Sequence, residues 1–198
     1  MLKSVLLFLL PLALTACSIL PQRPANDYYT LNIPPLSEST AVKRIPASVQ
    51  IYTPRMNPAY SGNNIYILGA DSRVYKSDIS RFVTDPVNMI ESILRSQFDK
   101  YGPWKQVLPP NSTTAADYSL IVSVDRFYGS TKELPARAYV SMTVQAVNNR
   151  TGQSIFLQTF ASSAPVADKT TDGLVAAFSR ALGSCLQSLQ DSLAKAVN

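Results

Sequence analysis

Histidine is absent from this 198-residue chain. Without an imidazole there is no Ser-His-Asp or Cys-His catalysis and no histidine-bearing metal site. Cysteine occurs twice, at Cys17 and Cys185. Charge is scarce too: 16% of residues are charged, against roughly 25% in ordinary soluble domains. Ser, Thr, Asn and Gln fill the surface instead. The chain has no G-x-x-x-x-G-K-[ST], no G-x-G-x-x-G and no G-x-S-x-G, so the glycine-rich turns that hold phosphates, dinucleotides or a nucleophilic serine are missing. The carboxylates Asp71, Asp78, Asp85, Asp117 and Asp125 are dispersed, with no cluster at metal-ligand spacing. Nothing in the sequence calls for a cofactor or a metal. The formal net charge is +5, but the cations are scattered and no basic run interleaves with aromatics. A nucleic-acid partner is therefore poorly supported. A solvated surface is the favoured reading, with a weak attraction to anionic headgroups as its alternative.

What is present begins at the first residue. MLKSVLLFLLPLALTAC places one cation, Lys3, before an apolar stretch over residues 5–14. Cation, apolar run and then small residues is the order of a secretory signal. The run is well short of the roughly 20 residues that span a bilayer, and Pro11 interrupts it. Leu14-Thr15-Ala16-Cys17 then resembles the lipobox of bacterial lipoproteins. Only a thiol can form the thioether to diacylglycerol, so the residue after the cut has to be cysteine. Residues 1–16 are read as the signal peptide and Cys17 as the acylated first residue of the mature chain. Two or more acyl chains, at about 0.8 kcal/mol per buried methylene, give stable anchoring. Ser18 follows, where aspartate favours inner-membrane retention in enterobacterial lipoproteins, so the expected place is the periplasmic face of the outer membrane. With Cys17 acylated, Cys185 has no intrachain partner and reads as a small buried hydrophobe rather than a reactive thiol.

Residues 17–27 read as a short Pro-containing tether and residues 28–198 as a single domain, about the size that supports one core. YYTLNI at 28–33 reads as a strand, stopped by Pro34-Pro35. Residues 48–52 form a second, and residues 65–68 and 73–76 form a hairpin around Gly69-Ala70-Asp71-Ser72. Asp85 and Pro86 open a helix whose stripe is Val87, Ile90, Leu94, Phe98 and Tyr101, with Gly102-Pro103 ending it. Residues 104–108 form a short strand. Alternation around 118–125 and 139–146, a turn at 148–152, and residues 155–160 give antiparallel strands with one buried face. The last element is a helix over about 172–197, with Asp172 as its cap. Leu174, Phe178, Leu182, Cys185, Leu189, Leu193 and Ala196 line one face. That face packs on the sheet; the small-residue remainder is an alternative docking surface for a partner. The expected fold is α+β, a two-layer sandwich with a mostly antiparallel sheet and two long helices on one face.

Lipobox, tether, Tyr28-Tyr29-Thr30-Leu31, the early strand at 49–52, the 66–75 strand pair, the helix opened by Pro86 and the closing amphipathic helix occur in an order that resembles the ABC-type transport auxiliary lipoproteins, the PqiC-like family. The likeness covers about residues 14–197. One departure is Phe82, where that family often has tryptophan; an aromatic is retained. The resemblance implies a non-catalytic auxiliary subunit of an MCE-type transporter, which carries lipid between membranes. Its partners would be the outer membrane through acylated Cys17, an MCE-domain protein, and further copies of itself in a ring. Two helices on one sheet face leave little interior volume, so positioning the conduit is favoured over enclosing a lipid. The alternatives are a lipopolysaccharide-assembly lipoprotein of similar fold and a membrane-tethered periplasmic hydrolase. The hydrolase would need a polar, pKa-perturbed cluster in a pocket.

Overall fold

The computed structural model describes residues 26–37 and 44–196. The elements run β1 (Asp27–Tyr29), β2 (Ile45–Ile51), β3 (Arg55–Met56), a 3-10 turn (Pro58–Tyr60), β4 (Asn64–Leu68), β5 (Val74–Phe82), α1 (Pro86–Tyr101), β6 (Trp104–Val107), β7 (Tyr118–Ser130), β8 (Arg137–Asn148), β9 (Ser154–Pro165) and α2 (Thr171–Ala196).

The sheet is organised around β7. Along one edge it pairs antiparallel with β8 over its whole length, from Tyr118↔Asn148 to Ser130↔Arg137, and β8 pairs antiparallel with β9. The other edge of β7 is shared by three short strands in turn. β2 lies beside Tyr118–Leu120, β3 beside Ser123 and Val124, and β4 beside Gly129 and Ser130, all parallel. β6 extends the sheet beyond β2 in parallel. β5 extends it beyond β4 in antiparallel, and β1 closes that wing in parallel with β5. The α+β sandwich is as the sequence predicts and its long ladders are antiparallel. The short parallel pairings are added knowledge, because side-chain alternation encodes which face is buried but not which strand lies alongside or in which direction.

Both helices cover one face, α1 on β2 and β6, α2 on β8 and β9. Asp85 caps α1, its Oδ1 accepting from the Val87 N–H at 3.1 Å, and Gly102 ends it with its N–H donating to Phe98 O at 2.9 Å. α2 starts one residue earlier than the sequence suggests. The capping oxygen is Thr170 Oγ1, which accepts from the Gly173 N–H at 3.0 Å; Asp172 sits in the first turn, where its charge suits the helix dipole. Gly129 allows α2 to close onto β7, since a Cβ there would lie 2.8 Å from Leu174 Cδ1. A β-bulge leaves Asp125 unpaired between Val124 and Arg126. It resets the alternation, so both Val124 and Phe127 point into the core. Phe127, Phe178 of α2 and Phe82 of β5 meet there, with Phe127 stacked on Phe178 at 4.5 Å. The aromatic retained at position 82 is thus a core residue.

The predicted strand at 28–33 is only partly a strand. After Tyr29 the chain leaves the ladder and crosses the helices as an extended strap through residue 37. Its apolar alternation is real, with Leu31, Ile33 and Leu36 buried, but side chains of the helices take its backbone donors. Asn32 N–H donates to Ser179 Oγ at 3.2 Å, Leu36 N–H to Gln97 Oε1 at 2.9 Å and Ser37 N–H to Gln187 Oε1 at 2.8 Å. Gln190 Nε2 donates to Ser37 O and Tyr101 O. The Ser and Gln positions of α2, read from the sequence as an alternative docking face, thus serve in part to hold the chain's own strap.

A second device holds the β2–β6 wing. Arg95 of α1 donates from Nε to Glu91 Oε1 at 3.0 Å, from Nη1 to Leu108 O at 2.7 Å, and from Nη2 to Ile51 O. One guanidinium therefore joins a helix to the ends of two parallel strands. Arg95→Met should cost about 1.5–3 kcal/mol, the usual range for hydrogen bonds to a charged group. Arg95→Lys should recover little, because an ammonium lacks the planar fork. Urea unfolding of both variants checks this, and an unchanged midpoint for Arg95→Met would count against the clamp.

Candidate docking surfaces

The carboxylates that the sequence scatters remain apart in the fold, each in a local role. Asp71 accepts from the Arg73 N–H and from Tyr75 Oη at 2.7 Å across the β4–β5 turn, and these bonds, Tyr75 foremost, lower its pKa. Asp85 adds the Gly62 N–H to its capping bond. Asp117 accepts from Ser48 N–H and Ser48 Oγ, both at 2.8 Å, which lowers its pKa. Asp78 is exposed on β5. Among the described residues no group of three His, Cys, Asp or Glu could hold a metal ion. Residues 1–25, and so Cys17 and the signal segment, lie outside the described residues.

Cys185 is 2% exposed, and its Sγ–H points at Val140 O at 3.7 Å. Burial pushes its thiol from the ordinary 9.0 up to about 12. Because the folded pKa is raised, the stability it contributes is complete below the unfolded value and is lost as pH rises from about 9 towards about 12. At pH 8 the folded chain should leave Cys185 unmodified by maleimide over hours, with rapid labelling only in denaturant. Fast labelling of the native state would contradict the packing.

The other face of β7, β8 and β9 carries no helix among the described residues. It is mostly hydroxylated. At the bulge, Asp125 Oδ2 accepts from Thr143 Oγ1 at 2.8 Å, and Thr143 bonds Thr159 on the next strand at 2.9 Å. Nearer the end of β7 lies a row of tyrosines, Tyr66, Tyr60, Tyr128 and Tyr139, with successive ring centroids 6.1, 5.1 and 5.6 Å apart. Tyr139 Oη donates to Glu133, a bond that raises the tyrosine pKa, and Glu133 also faces Arg137. Burial raises the pKa of Tyr60. Tyr60 and Tyr66 enter this row from a loop and a short strand, Tyr128 and Tyr139 from a cross-strand pair. That loop and strand are far in sequence from β7 and β8, and nothing in the chain's periodicity announces the row. Tyrosine is favoured at protein–protein contacts because it offers a large rigid surface with a polar tip.

Two layers, with helices on one side of the sheet and a bare, tyrosine-bearing face on the other, define the class as an α+β sandwich with one open sheet face. The particular family follows from comparison with known proteins. The chain belongs to the ABC-type transport auxiliary lipoprotein component family, whose model matches residues 29–189. Among solved structures it is similar to protein XCC0632 from Xanthomonas campestris, with a TM-score of 0.76 and 15% identity, covering 86% of this chain and 96% of that one. An uncharacterized protein shares the fold with a TM-score of 0.65 and 13% identity, covering 88% and 99%. No curated protein matches the chain.

Proposed function

We propose that the mature chain is a non-catalytic docking subunit of an MCE-type ABC transporter for lipids, held at the periplasmic face of the outer membrane by acyl chains on Cys17. Membership of the auxiliary lipoprotein family supports the coarse role. The bare sheet face with its tyrosine row carries the finer one: it is a surface for an MCE-domain partner, made of rigid aromatic anchors among hydroxyls. The dispersed carboxylates, of which Asp71, Asp85 and Asp117 are engaged in a turn, a cap and a strand pair, favour this reading over a tethered hydrolase. Self-association into a ring belongs to the same reading. Among the described residues β9 pairs with β8 alone, leaving a twelve-residue edge that can receive another strand.

Crosslinking in intact cells followed by recovery of the full-length lipoprotein tests the partner. An MCE-domain protein is the expected capture, lost in a Tyr128→Ser, Tyr139→Ser double variant that still folds. Repeated recovery without an MCE-domain protein overturns the reading. Native mass spectrometry of the Cys17→Ser chain tests the ring, and a strict monomer at high concentration counts against it.

A further inference from the structure

The ladder pairings fix the direction in which β1, the first described strand, enters the sheet. β1 runs parallel to β5, β5 antiparallel to β4, and β4 parallel to β7. β1 therefore runs against β7, and its N-terminal direction points along β5 towards the end where β4 and β7 finish, at Leu68 and Ser130. Tyr29 lies in the same neighbourhood: burial, and then the charge of Asp172 in the first turn of α2, raise its pKa. Residues 18–25 alone separate Cys17 from Asn26, a reach of at most about 30 Å at roughly 3.3 Å per residue. The tether thus keeps Asn26 within about 30 Å of any membrane that holds Cys17.

The same end carries an apolar crevice. It lies between the β7–β8 loop and the β9–α2 loop, encloses about 410 Å³, and is walled by Ile67, Leu134, Pro135, Val166 and Leu174. Its volume falls in the range of small-molecule sites, roughly 300–1,000 Å³. Leu134 stands at its rim with 94% of its surface exposed, an expensive placement in water for a side chain worth about 1.5–3 kcal/mol when buried. Val74, Tyr75 and Ile79 of β5 and Tyr28 of β1 add further exposed apolar surface on the tether's side of the sheet. The charges around the mouth are mixed: Lys132 and Lys169 beside Glu133 and Asp168. A strongly anionic ligand would find no net attraction there, whereas a hydrocarbon chain entering between the loops would meet apolar walls.

We infer that this end is the domain's membrane-contact surface, with Leu134 entering the acyl layer and the crevice behind it receiving one acyl chain of a phospholipid from the leaflet that holds the anchor. The inference rests on the anchoring of Cys17 proposed above. Contact with the membrane would orient the bare sheet face sideways and fix its height, which a tether alone does not do.

The full mature lipoprotein, reconstituted into vesicles of phosphatidylethanolamine and phosphatidylglycerol, provides the test. Trp104 is the chain's one tryptophan and is fully buried, so its emission is a background shielded from a quencher in the acyl layer. With phosphatidylcholine brominated on its acyl chains in the vesicles, the Leu134→Trp variant should lose most of its added emission. The parent and a Leu157→Trp variant, exposed on β9 far from this end, should keep theirs. Separately, phosphatidylethanolamine carrying a diazirine on its acyl chain should label residues 133–137 and 170–180 above all others. A chain that fails to float with the vesicles overturns the anchoring and this inference together. A chain that floats but keeps its Leu134→Trp emission overturns the membrane contact alone. Quenching without phospholipid adducts at those two segments overturns the phospholipid as occupant and points to the protein's own acyl chains.

Discussion

Phe178→Ala should lower the stability of the folded chain by about 3–5 kcal/mol, the range for removing a fully buried phenylalanine. Phe178 is fully buried, and it touches two other core rings. Phe127 stacks on it at 4.5 Å with planes 13° apart, and Phe82 meets it edge-on at 6.2 Å. Each such ring pair contributes about 0.5–1.5 kcal/mol beyond its buried area. The three rings come from α2, β7 and β5, so the hole would open where the helix layer joins both wings of the sheet. Typical domains are stable by only about 5–15 kcal/mol, and the loss would be a large share of that. Urea unfolding of the Cys17→Ser chain, followed through Trp104, measures it. A shift below about 1 kcal/mol would mean that the cluster relaxes and is not the node described here. Leu157→Ala on the open face should stay within about 0.5 kcal/mol, as surface changes usually do.

That contrast also marks where the sequence is legible. Both helices could be read because capping and period are local: Asp85, Pro86 and the Ile90, Leu94, Phe98 stripe lie within one turn or two of each other. The hairpins β4–β5, β7–β8 and β8–β9 could be read for the same reason, since each turn sits between the strands it joins. The strap at 30–37 could not. Its alternation, Leu31, Ile33 and Leu36, looks like a strand, and only the positions of Gln97, Ser179 and Gln187, more than 60 residues away, decide that side chains replace the ladder. The parallel strands fail similarly: two residues, Arg55 and Met56, carry no pattern at all, and they pair where the bulge at Asp125 bends β7. Thr170 was missed as a cap because Asp172 has the same chemistry and stands two residues later. The tyrosine row and the apolar crevice are both products of this long-range assembly. Local signals such as the Asp85 cap are legible in the sequence; surfaces made by four or five distant residues are not.

On the proposed anchoring, Cys17→Ser, expressed with residues 1–16 replaced by a secretory signal that is cut without acylation, should move the protein from the membrane fraction to the soluble periplasm almost completely while leaving the domain folded. Among the described residues, those that build the core begin at Leu31, fourteen positions after Cys17. The energetic comparison is one-sided. A single myristoyl chain already binds membranes with a constant of about 10⁴ M⁻¹, and two or more chains, at about 0.8 kcal/mol per methylene, hold a protein there stably. The contacts left after the substitution are weak. Leu134 contributes at most about 1.5–3 kcal/mol if wholly buried. The cations on this end are interleaved with Asp71, Glu133 and Asp168, so they add little attraction to an anionic surface. The reverse change separates anchoring from docking: Leu134→Asp should leave the chain in the membrane fraction, because the acyl chains remain, but should abolish the labelling of residues 133–137 by an acyl-chain diazirine. Fractionation and vesicle flotation of the two variants side by side give the measurement. Retention of the Cys17→Ser chain on the membrane would show that something other than the acyl anchor holds it.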